Sequence, residues 1–153
     1  MSTLTPERIE QLLPKAVAWA KLHAAIIERQ GQPLTRPEQA IAGAVGVSQP
    51  DQVRVLEVPR LPQPTDPELL QAAQTLGLLG PNTTGLTLGR CIYVREGQRS
   101  PRLLAHELRH VQQVQHAGSL AAFLAQYLQQ LATCGYAQAP YEIDARRYER
   151  YTR

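Results

Sequence analysis

The stretch from Ser100 to Gly118, SPRLLAHELRHVQQVQHAG, combines a strong helix pattern with two clear end signals. Ser100 is suited to the N-cap, Pro101 to the first helical position and Gly118 to the C-terminal end. Apolar side chains recur at helical spacing, at Leu103, Leu104, Leu108, Val111 and Val114. We therefore expect an amphipathic helix that runs from Pro101 to about His116.

This helix contains the motif H-E-x-x-H at residues 106–110. Because His106 and His110 are four positions apart, both imidazole rings project from the same helix face. Two neutral histidines held in this way can bind one Zn²⁺, and Glu107 between them can accept a proton from water. The alternative is two histidines that merely lie on a helix surface, but the capped amphipathic context favours a metal site.

A catalytic zinc site has three protein ligands and one open position, so a third ligand must come from elsewhere. Glu142 and Asp144 are the candidates, on a helix predicted to begin near Pro140. His116 is less suited because it lies six residues after His110 and so points away from the metal face. The spacing alone leaves both carboxylates open.

The motif followed by a glutamate on a later helix resembles the gluzincin type of zinc metallopeptidase. The runs HELRHVQQ (106–113) and APYEIDA (139–145) are similar to small bacterial metallopeptidase-like proteins with an E-x-[ED]-A element after the zinc helix. The resemblance covers residues 84–148. It implies His106, His110 and Glu142 as zinc ligands, Glu107 as general base, and a close helix approach at the small residue Ala145.

The resemblance departs from the family pattern at one supporting position. Thermolysin-like enzymes place an aspartate four residues after the third ligand to orient a histidine, whereas this chain has Arg146 there. Asp144 could take the supporting role instead, or could be the ligand with Glu142 in support. A further group should stabilise the oxyanion, and the sequence does not choose among Tyr127, Tyr136, Tyr141, Tyr148 and His116.

The remaining residues predict an α+β fold that is mostly helical. Helix signals begin at Pro6, near Glu38 and at Pro67, and Pro14 predicts a kink or a break in the first helix. β-Branched residues predict a strand at 52–58, which is the one strand expected in the first half of the chain.

Residues 84–95 alternate in polarity and predict two short strands turned around Gly89 and Arg90. These strands could form a sheet edge that pairs with an extended substrate backbone, or a plain core hairpin. With the resemblance, we expect one zincin-like domain over 1–153, with a helical N-terminal part (1–80) and a metal-site part (84–151). A small β-sheet or hairpin should lie beside the motif helix.

Charge and hydropathy restrict the classes of partner. The net charge is +3, but the arginines are scattered among glutamates, and only residues 146–153 are locally basic. A solvated helix face explains this segment better than a nucleic-acid surface. The sequence has no apolar run long enough to cross a membrane and no signal-peptide pattern, so we expect a cytoplasmic protein without a membrane partner.

The expected function is that of a zinc-dependent metallopeptidase that hydrolyses peptide bonds in a protein or peptide substrate. The alternative is a non-catalytic zinc-binding or regulatory module that retains the zincin fold. The intact Glu107 favours the enzyme, because a purely structural zinc site has no use for a base beside the metal.

Overall fold

The computed structural model describes residues 4–150, which form six α-helices and a four-stranded sheet. The helices are α1 (Pro6–Gln30), α2 (Arg36–Ala44), α3 (Pro67–Thr75), α4 (Pro101–Ala117), α5 (Leu120–Cys134) and α6 (Pro140–Tyr148). The strands are β1 (Gln32–Pro33), β2 (Arg54–Val58), β3 (Gly85–Leu88) and β4 (Cys91–Arg95). The prediction of a mostly helical α+β fold is confirmed. Residues 1–3 and 151–153, including the end of the basic segment, lie outside the described residues.

The strand order in the sheet is β1-β2-β4-β3. Strand β2 runs parallel to β4, with Val55 opposite Ile92, and the two other pairs are antiparallel. Four of the five residues of β4 are buried, because this central strand is covered on both faces. The predicted turn at Gly89 and Arg90 joins β3 to β4. Because β3 is the last strand in the order, it lies at an edge of the sheet.

Helices cover both faces of the sheet. Ile92 and Val94 of β4 belong to one buried cluster with Leu104 and Leu108 of α4. The alternate residues of β4 face α1, in a second cluster that also contains Ala20 and Ile27. Alternation along one strand therefore fixes the motif helix against one face and α1 against the other.

The N-terminal half of the chain packs against the site-bearing half through α1, α3 and α5. Ile9 of α1, Leu76 after α3 and Leu128 of α5 lie in a third buried cluster. Helix α1 continues through Pro14, so of the predicted kink or break the break does not occur. Pro14 is exposed, and its missing hydrogen bond falls on the solvent side, where a helix bends most easily. None of the helices within residues 4–150 is long and apolar enough to span a membrane.

The boundaries of the motif helix are those that the sequence predicts. The Ser100 side chain accepts a hydrogen bond from the backbone N–H of Leu103, and Pro101 begins the helix. Gly118 ends it in the left-handed conformation, with φ of 98°. Ser119 then caps α5, and α6 packs against α4 with Ala145 fully buried. The small side chain at Ala145 fits the predicted close approach of the two helices.

Candidate metal centre

His106, His110 and Glu142 meet where α6 packs on α4. Nε2 of His106 lies 3.0 Å from Oε1 of Glu142, and Nε2 of His110 lies 3.1 Å from Oε2 of the same carboxylate. The three ligand atoms lie within 4.8 Å of one another, and no fourth histidine, cysteine or acidic residue from the described part of the chain joins them. The fold thus brings together the three residues that the sequence proposes as metal ligands.

The other ring nitrogen of His106 is held by Glu149, the residue that follows α6. Its Nδ1 lies 2.8 Å from Oε2 of Glu149, and Nε of Arg102 donates to Oε1 of Glu149 at 2.7 Å. Because a carboxylate only accepts hydrogen bonds, Nδ1 of His106 carries the proton. Nε2 of the neutral ring then presents a lone pair toward Glu142.

A second network fixes the ring of His110. Gln113 donates from Nε2 to the backbone oxygen of Tyr141 at 3.0 Å and to Oδ2 of Asp144 at 2.9 Å. These two bonds determine the amide orientation, so Oε1 of Gln113 is an acceptor, and it lies 2.7 Å from Nδ1 of His110. His110 therefore also donates from Nδ1, and when this ring is neutral its Nε2 lone pair faces Glu142.

In the neutral state of both rings, two nitrogen lone pairs thus face a carboxylate that is only 1 % exposed. Acceptors that face acceptors need a positive charge between them, either protons on the rings or one metal ion. Two imidazole nitrogens and one carboxylate oxygen form a donor set that Zn²⁺ accepts. Hydrogen bonds to the outer ring nitrogens are also typical of metal-binding histidines. The residues present therefore fit a zinc ion.

The pKa shifts of His106, His110 and Glu142 also favour a positive charge between these residues. Burial opposes the charged form of His106, yet its hydrogen bond to Glu142 and the charge of Glu107 raise its pKa to about 9. Burial also opposes charge on His110, but Glu142 raises the pKa of this ring above its usual value. Burial favours a neutral Glu142, but hydrogen bonds from both histidines hold its pKa well below the usual range.

Tyr127 of α5 completes the surroundings of the candidate third ligand. Its hydroxyl donates to Oε2 of Glu142 at 2.6 Å. Burial, and then the charge of Glu142, raise the pKa of Tyr127 well above its usual value, so the hydroxyl keeps its proton. Tyr127 and His110 thus contact the same carboxylate oxygen, while His106 contacts the other.

Asp144 belongs to the supporting network and not to the group of converging ligand atoms. Its carboxylate accepts from Nε of Arg109 at 2.8 Å and from Gln113. Arg109 also donates to the backbone oxygen of Val45 at 2.8 Å, which connects α4 to the end of α2. Of the two carboxylates that the spacing leaves open, Glu142 lies beside both histidines, and Asp144 supports His110 through Gln113.

Glu107 lies beside the three converging residues and is held by strand β3. The Thr87 hydroxyl lies 2.8 Å from Oε1 of Glu107 and 3.0 Å from its backbone oxygen, so it can donate to either. Gly85 leaves room for this side chain. A Cβ atom at Gly85 would lie 3.0 Å from Cγ of Glu107 and 3.1 Å from Oε2.

A polar cleft of about 580 Å³ opens beside the site. His106 and Glu107 form part of its wall, Tyr136 and Glu149 border it, and Thr84 and Gly85 bring the edge strand to its rim. The loop from Gly77 to Thr84 supplies further polar groups. Glu107 therefore borders this cleft with the 6 % of its surface that is exposed.

The five candidates for oxyanion stabilisation differ in the contacts and positions of their side chains. Tyr141 bonds to Gln126, 2.7 Å away, and the Tyr148 ring lies under the guanidinium of Arg109 at 3.9 Å. His116 lies in the last turn of α4, six residues beyond His110. Tyr136 borders the cleft and is 42 % exposed, and burial and then Glu142 raise its pKa. Of the five, Tyr136 is the one that lines the cleft.

The two residues that hold the outer ring nitrogens of the histidines, Gln113 and Glu149, were not foreseen from the sequence. Glu149 follows Glu142 by seven positions, which is two helical turns and so the same face, and this spacing was the available signal. Arg146, at the position of the expected aspartate, donates instead to the backbone oxygen of Ala137. The residue that holds a histidine ring, Glu149, thus lies three positions after the one where the family pattern has an aspartate.

Comparisons with known proteins give no match: no protein-family model fits the chain, and no similar curated protein or solved structure was found. The functional assignment therefore depends on the residues and the geometry of the candidate metal centre.

Proposed function

We propose that this chain is a zinc-dependent metallopeptidase with a zincin-like fold. The main support is that Glu107 adjoins three converging ligand residues and opens onto a cleft of about 580 Å³. The ligands in this proposal are His106, His110 and Glu142. The H-E-x-x-H helix packed against a small sheet with an antiparallel edge strand supports the fold assignment.

A bound zinc ion would supply a Lewis acid that lowers the pKa of a water molecule and polarises the peptide carbonyl. Glu142 and the two Nε2 atoms would hold it, while Glu149 and Gln113 fix the rings. His106, His110 and Glu142 would be the protein ligands, and since no fourth joins them among the described residues, the set would match that of catalytic zinc sites, which keep a position for water or substrate.

Glu107 acts as the general base in this proposal. It accepts a proton from the attacking water and later passes that proton to the leaving amine. The Thr87 hydroxyl holds Oε1 at 2.8 Å, so the carboxylate stays directed toward the cleft. Tyr136 lies at the cleft border, where its hydroxyl can donate to the oxygen that develops negative charge.

The edge strand β3 supplies a binding surface for the peptide backbone in this proposal. It pairs with β4 on one side, and Thr84 and Gly85 at its start border the cleft. An extended peptide that adds to this edge would place a peptide bond next to Glu107. Such pairing recognises the backbone of the peptide, so peptides of many different sequences would bind.

Two variants test the proposal with zinc content and hydrolysis as separate measurements. Purified protein should contain about one zinc ion per chain and should cleave unstructured peptides. Glu107→Gln should keep the zinc and lower the hydrolysis rate at least about 100-fold, because general-base catalysis contributes about 10²- to 10⁴-fold. His106→Ala should lose both.

The same measurements can contradict the proposal. A protein without zinc, or one whose zinc content is the same in His106→Ala, would exclude the proposed ligand set. Hydrolysis that continues at the wild-type rate in Glu107→Gln would exclude Glu107 as base and point to a contaminating protease. Zinc binding with no hydrolysis of any peptide would favour the non-catalytic module.

A further inference from the structure

The two oxygens of the Glu142 carboxylate have different surroundings. Oε1 faces Nε2 of His106 at 3.0 Å. Oε2 lies 3.1 Å from Nε2 of His110 and in addition accepts a hydrogen bond of 2.6 Å from the Tyr127 hydroxyl. A donated proton engages one lone pair of the oxygen that accepts it, and this weakens the oxygen as a metal ligand. Oε1 is therefore the oxygen of Glu142 that is better able to bind a cation.

The aromatic rings around Tyr127 fix the position of its hydroxyl. The Tyr127 ring stacks on Phe123 of the same helix, with the ring centroids 5.3 Å apart, and Phe123 stacks on Tyr141 of α6 at 4.9 Å. The His110 ring lies 6.0 Å from the Tyr127 ring in an edge-to-face arrangement. Rotation of a tyrosine ring about its own long axis leaves the hydroxyl oxygen in place. The stack therefore keeps this oxygen beside Glu142.

Helix α5 also holds the first turn of α6, which carries Glu142. Ala139, at the N-cap of α6, has no side chain that can accept a hydrogen bond from the backbone. The side-chain oxygen of Gln130 in α5 takes this role, since it accepts from the backbone N–H of Tyr141 at 2.9 Å. Helix α5 thus positions the backbone just before Glu142 and, through Tyr127, the carboxylate itself.

We infer that Tyr127 is a positioning residue that restricts Glu142 to metal binding through Oε1 alone. The inference rests on the zinc site of the proposed peptidase, and it makes α5 a third element of that site although α5 supplies no ligand. A carboxylate that binds through one oxygen, together with two imidazoles, gives the ligand set of a four-coordinate catalytic zinc site. Binding through both oxygens would suit cations that prefer more oxygen ligands, such as Mn²⁺. Tyr127 thus favours zinc over such cations.

The first test uses protein loaded with Co²⁺ in place of zinc, because the visible absorption of Co²⁺ reports the number of ligand atoms. Four-coordinate Co²⁺ absorbs visible light more strongly than Co²⁺ with a larger number of ligand atoms. Wild-type protein should give the strong absorption. Tyr127→Phe should give a weaker absorption, because Oε2 of Glu142 is then free to join the metal.

Tyr141→Phe is the matched control for the loss of a hydroxyl. Tyr141 belongs to the same ring stack, but its hydroxyl bonds to the exposed Gln126, 2.7 Å away, and not to Glu142. This variant should keep the strong absorption of Co²⁺. Tyr127→Met also removes the Tyr127 hydroxyl, with a side chain that adapts to irregular space, and it replaces Tyr127→Phe if that variant does not fold.

The second test compares the affinities for Zn²⁺ and Mn²⁺ by competition with a chelator. The affinity for Zn²⁺ should fall about 10- to 100-fold in Tyr127→Phe, as it does when other hydrogen-bond partners of metal ligands are removed. The affinity for Mn²⁺ should fall less, because a second carboxylate oxygen compensates for the lost bond. Tyr141→Phe should leave the ratio of the two affinities unchanged. Urea unfolding of the metal-free proteins measures the stability of both variants separately.

The outcomes separate the role of Tyr127 from the peptidase function, since neither test measures hydrolysis. Strong Co²⁺ absorption in Tyr127→Phe, or equal changes in Tyr127→Phe and Tyr141→Phe, would overturn the positioning role and leave the peptidase proposal intact. A weaker absorption in Tyr127→Phe alone would support the positioning role, even in a protein that hydrolyses no peptide. Wild-type protein that binds neither Zn²⁺ nor Co²⁺ would overturn both.

Discussion

Nδ1 of His106 lies 2.8 Å from Oε2 of Glu149, so the residue that caps the end of α6 holds one side of this ring while Glu142 of α6 faces the other. Glu149 and Glu142 are two helical turns apart, and α6 thereby sets both the position and the tautomer of the histidine. Arg102 in turn holds Glu149 at 2.7 Å.

Glu149→Gln should weaken zinc binding about 10- to 100-fold, because the neutral amide no longer stabilises the positive charge that His106 shares with the metal. The affinity can be measured by competition with a chelator of known zinc affinity. Glu96→Gln is the control, since Glu96 is exposed and does not line the cleft. An unchanged affinity in Glu149→Gln would show that Glu149 has no part in metal binding.

Gly85 controls the position of Glu107. A methyl group at this position would lie 3.0 Å from Cγ of Glu107, closer than such contacts normally allow. We expect Gly85→Ala to displace the carboxylate and to lower kcat about 10- to 100-fold, while zinc affinity stays the same, because small misplacements of catalytic groups cost that much. Rates and chelator competition on one preparation measure both quantities.

Gly43→Ala is the matched control for this substitution. A Cβ atom at Gly43 meets nothing within 4 Å, and the residue lies inside α2, far from Glu107. It should leave hydrolysis unchanged and stabilise the protein by about 0.5–1 kcal/mol through helix propensity. If Gly85→Ala retained full activity, the space at Gly85 would have no role in holding the base.

The motif helix could be predicted well from the sequence because its signals are local. Ser100, Pro101 and Gly118 mark its ends, and the four-residue spacing of the histidines fixes their shared face. The carboxylate that lies beside the two histidines was predictable as one of two nearby acidic residues. The choice between them depends on the rotation of α6 about its axis, which Ala145 and the contacts with α4 determine.

The supporting residues and the cavities depend on contacts between distant parts of the chain. The parallel pairing of β2 with β4 is not encoded in either strand alone, yet it positions α4 beside the edge strand. The first two residues of the strand predicted at 52–58 do not belong to β2, because a 3₁₀ turn at Pro50–Gln52 occupies the start of this segment. The apolar cavity of about 100 Å³ is lined by residues of α1, α3 and α5 together, so no single segment predicts it.

Glu142 and Asp144 can be distinguished by two amide substitutions. Glu142→Gln should lower zinc affinity at least about 100-fold, because it removes a charged ligand. Asp144→Asn should lower it about 10-fold or less, since Asp144 acts through Gln113. It should also destabilise the fold by about 1–3 kcal/mol, because the bond to Arg109 loses its charge. The opposite order of the two zinc affinities would identify Asp144 as the ligand.

Glu38 joins the start of α2 to the segment before α4, and this contact should make stability depend on pH. Its carboxylate accepts from Arg99 at 2.7 Å and from the backbone N–H of Thr35 at 2.9 Å, and both side chains of the ion pair are largely buried. Burial opposes the charge of Glu38, but these hydrogen bonds lower its pKa below the usual 4.5 overall.

Because the folded state binds this proton less readily than the unfolded state, the contribution is complete above the usual pKa of 4.5 and is lost as pH falls through the lower pKa of the folded state. Glu38→Gln should therefore lower the free energy of unfolding by about 1–2 kcal/mol near neutral pH. The difference from wild type should shrink as pH falls below about 4.5. Urea unfolding at a series of pH values measures it.

Glu28→Gln provides the control for this experiment. Glu28 pairs with Arg90, but their side chains are 41 % and 52 % exposed, so solvent screens the pair and the loss should be smaller. A Glu38→Gln difference that stays constant down to about pH 3 would contradict the electrostatic explanation, because a protonated Glu38 should then be no better than glutamine.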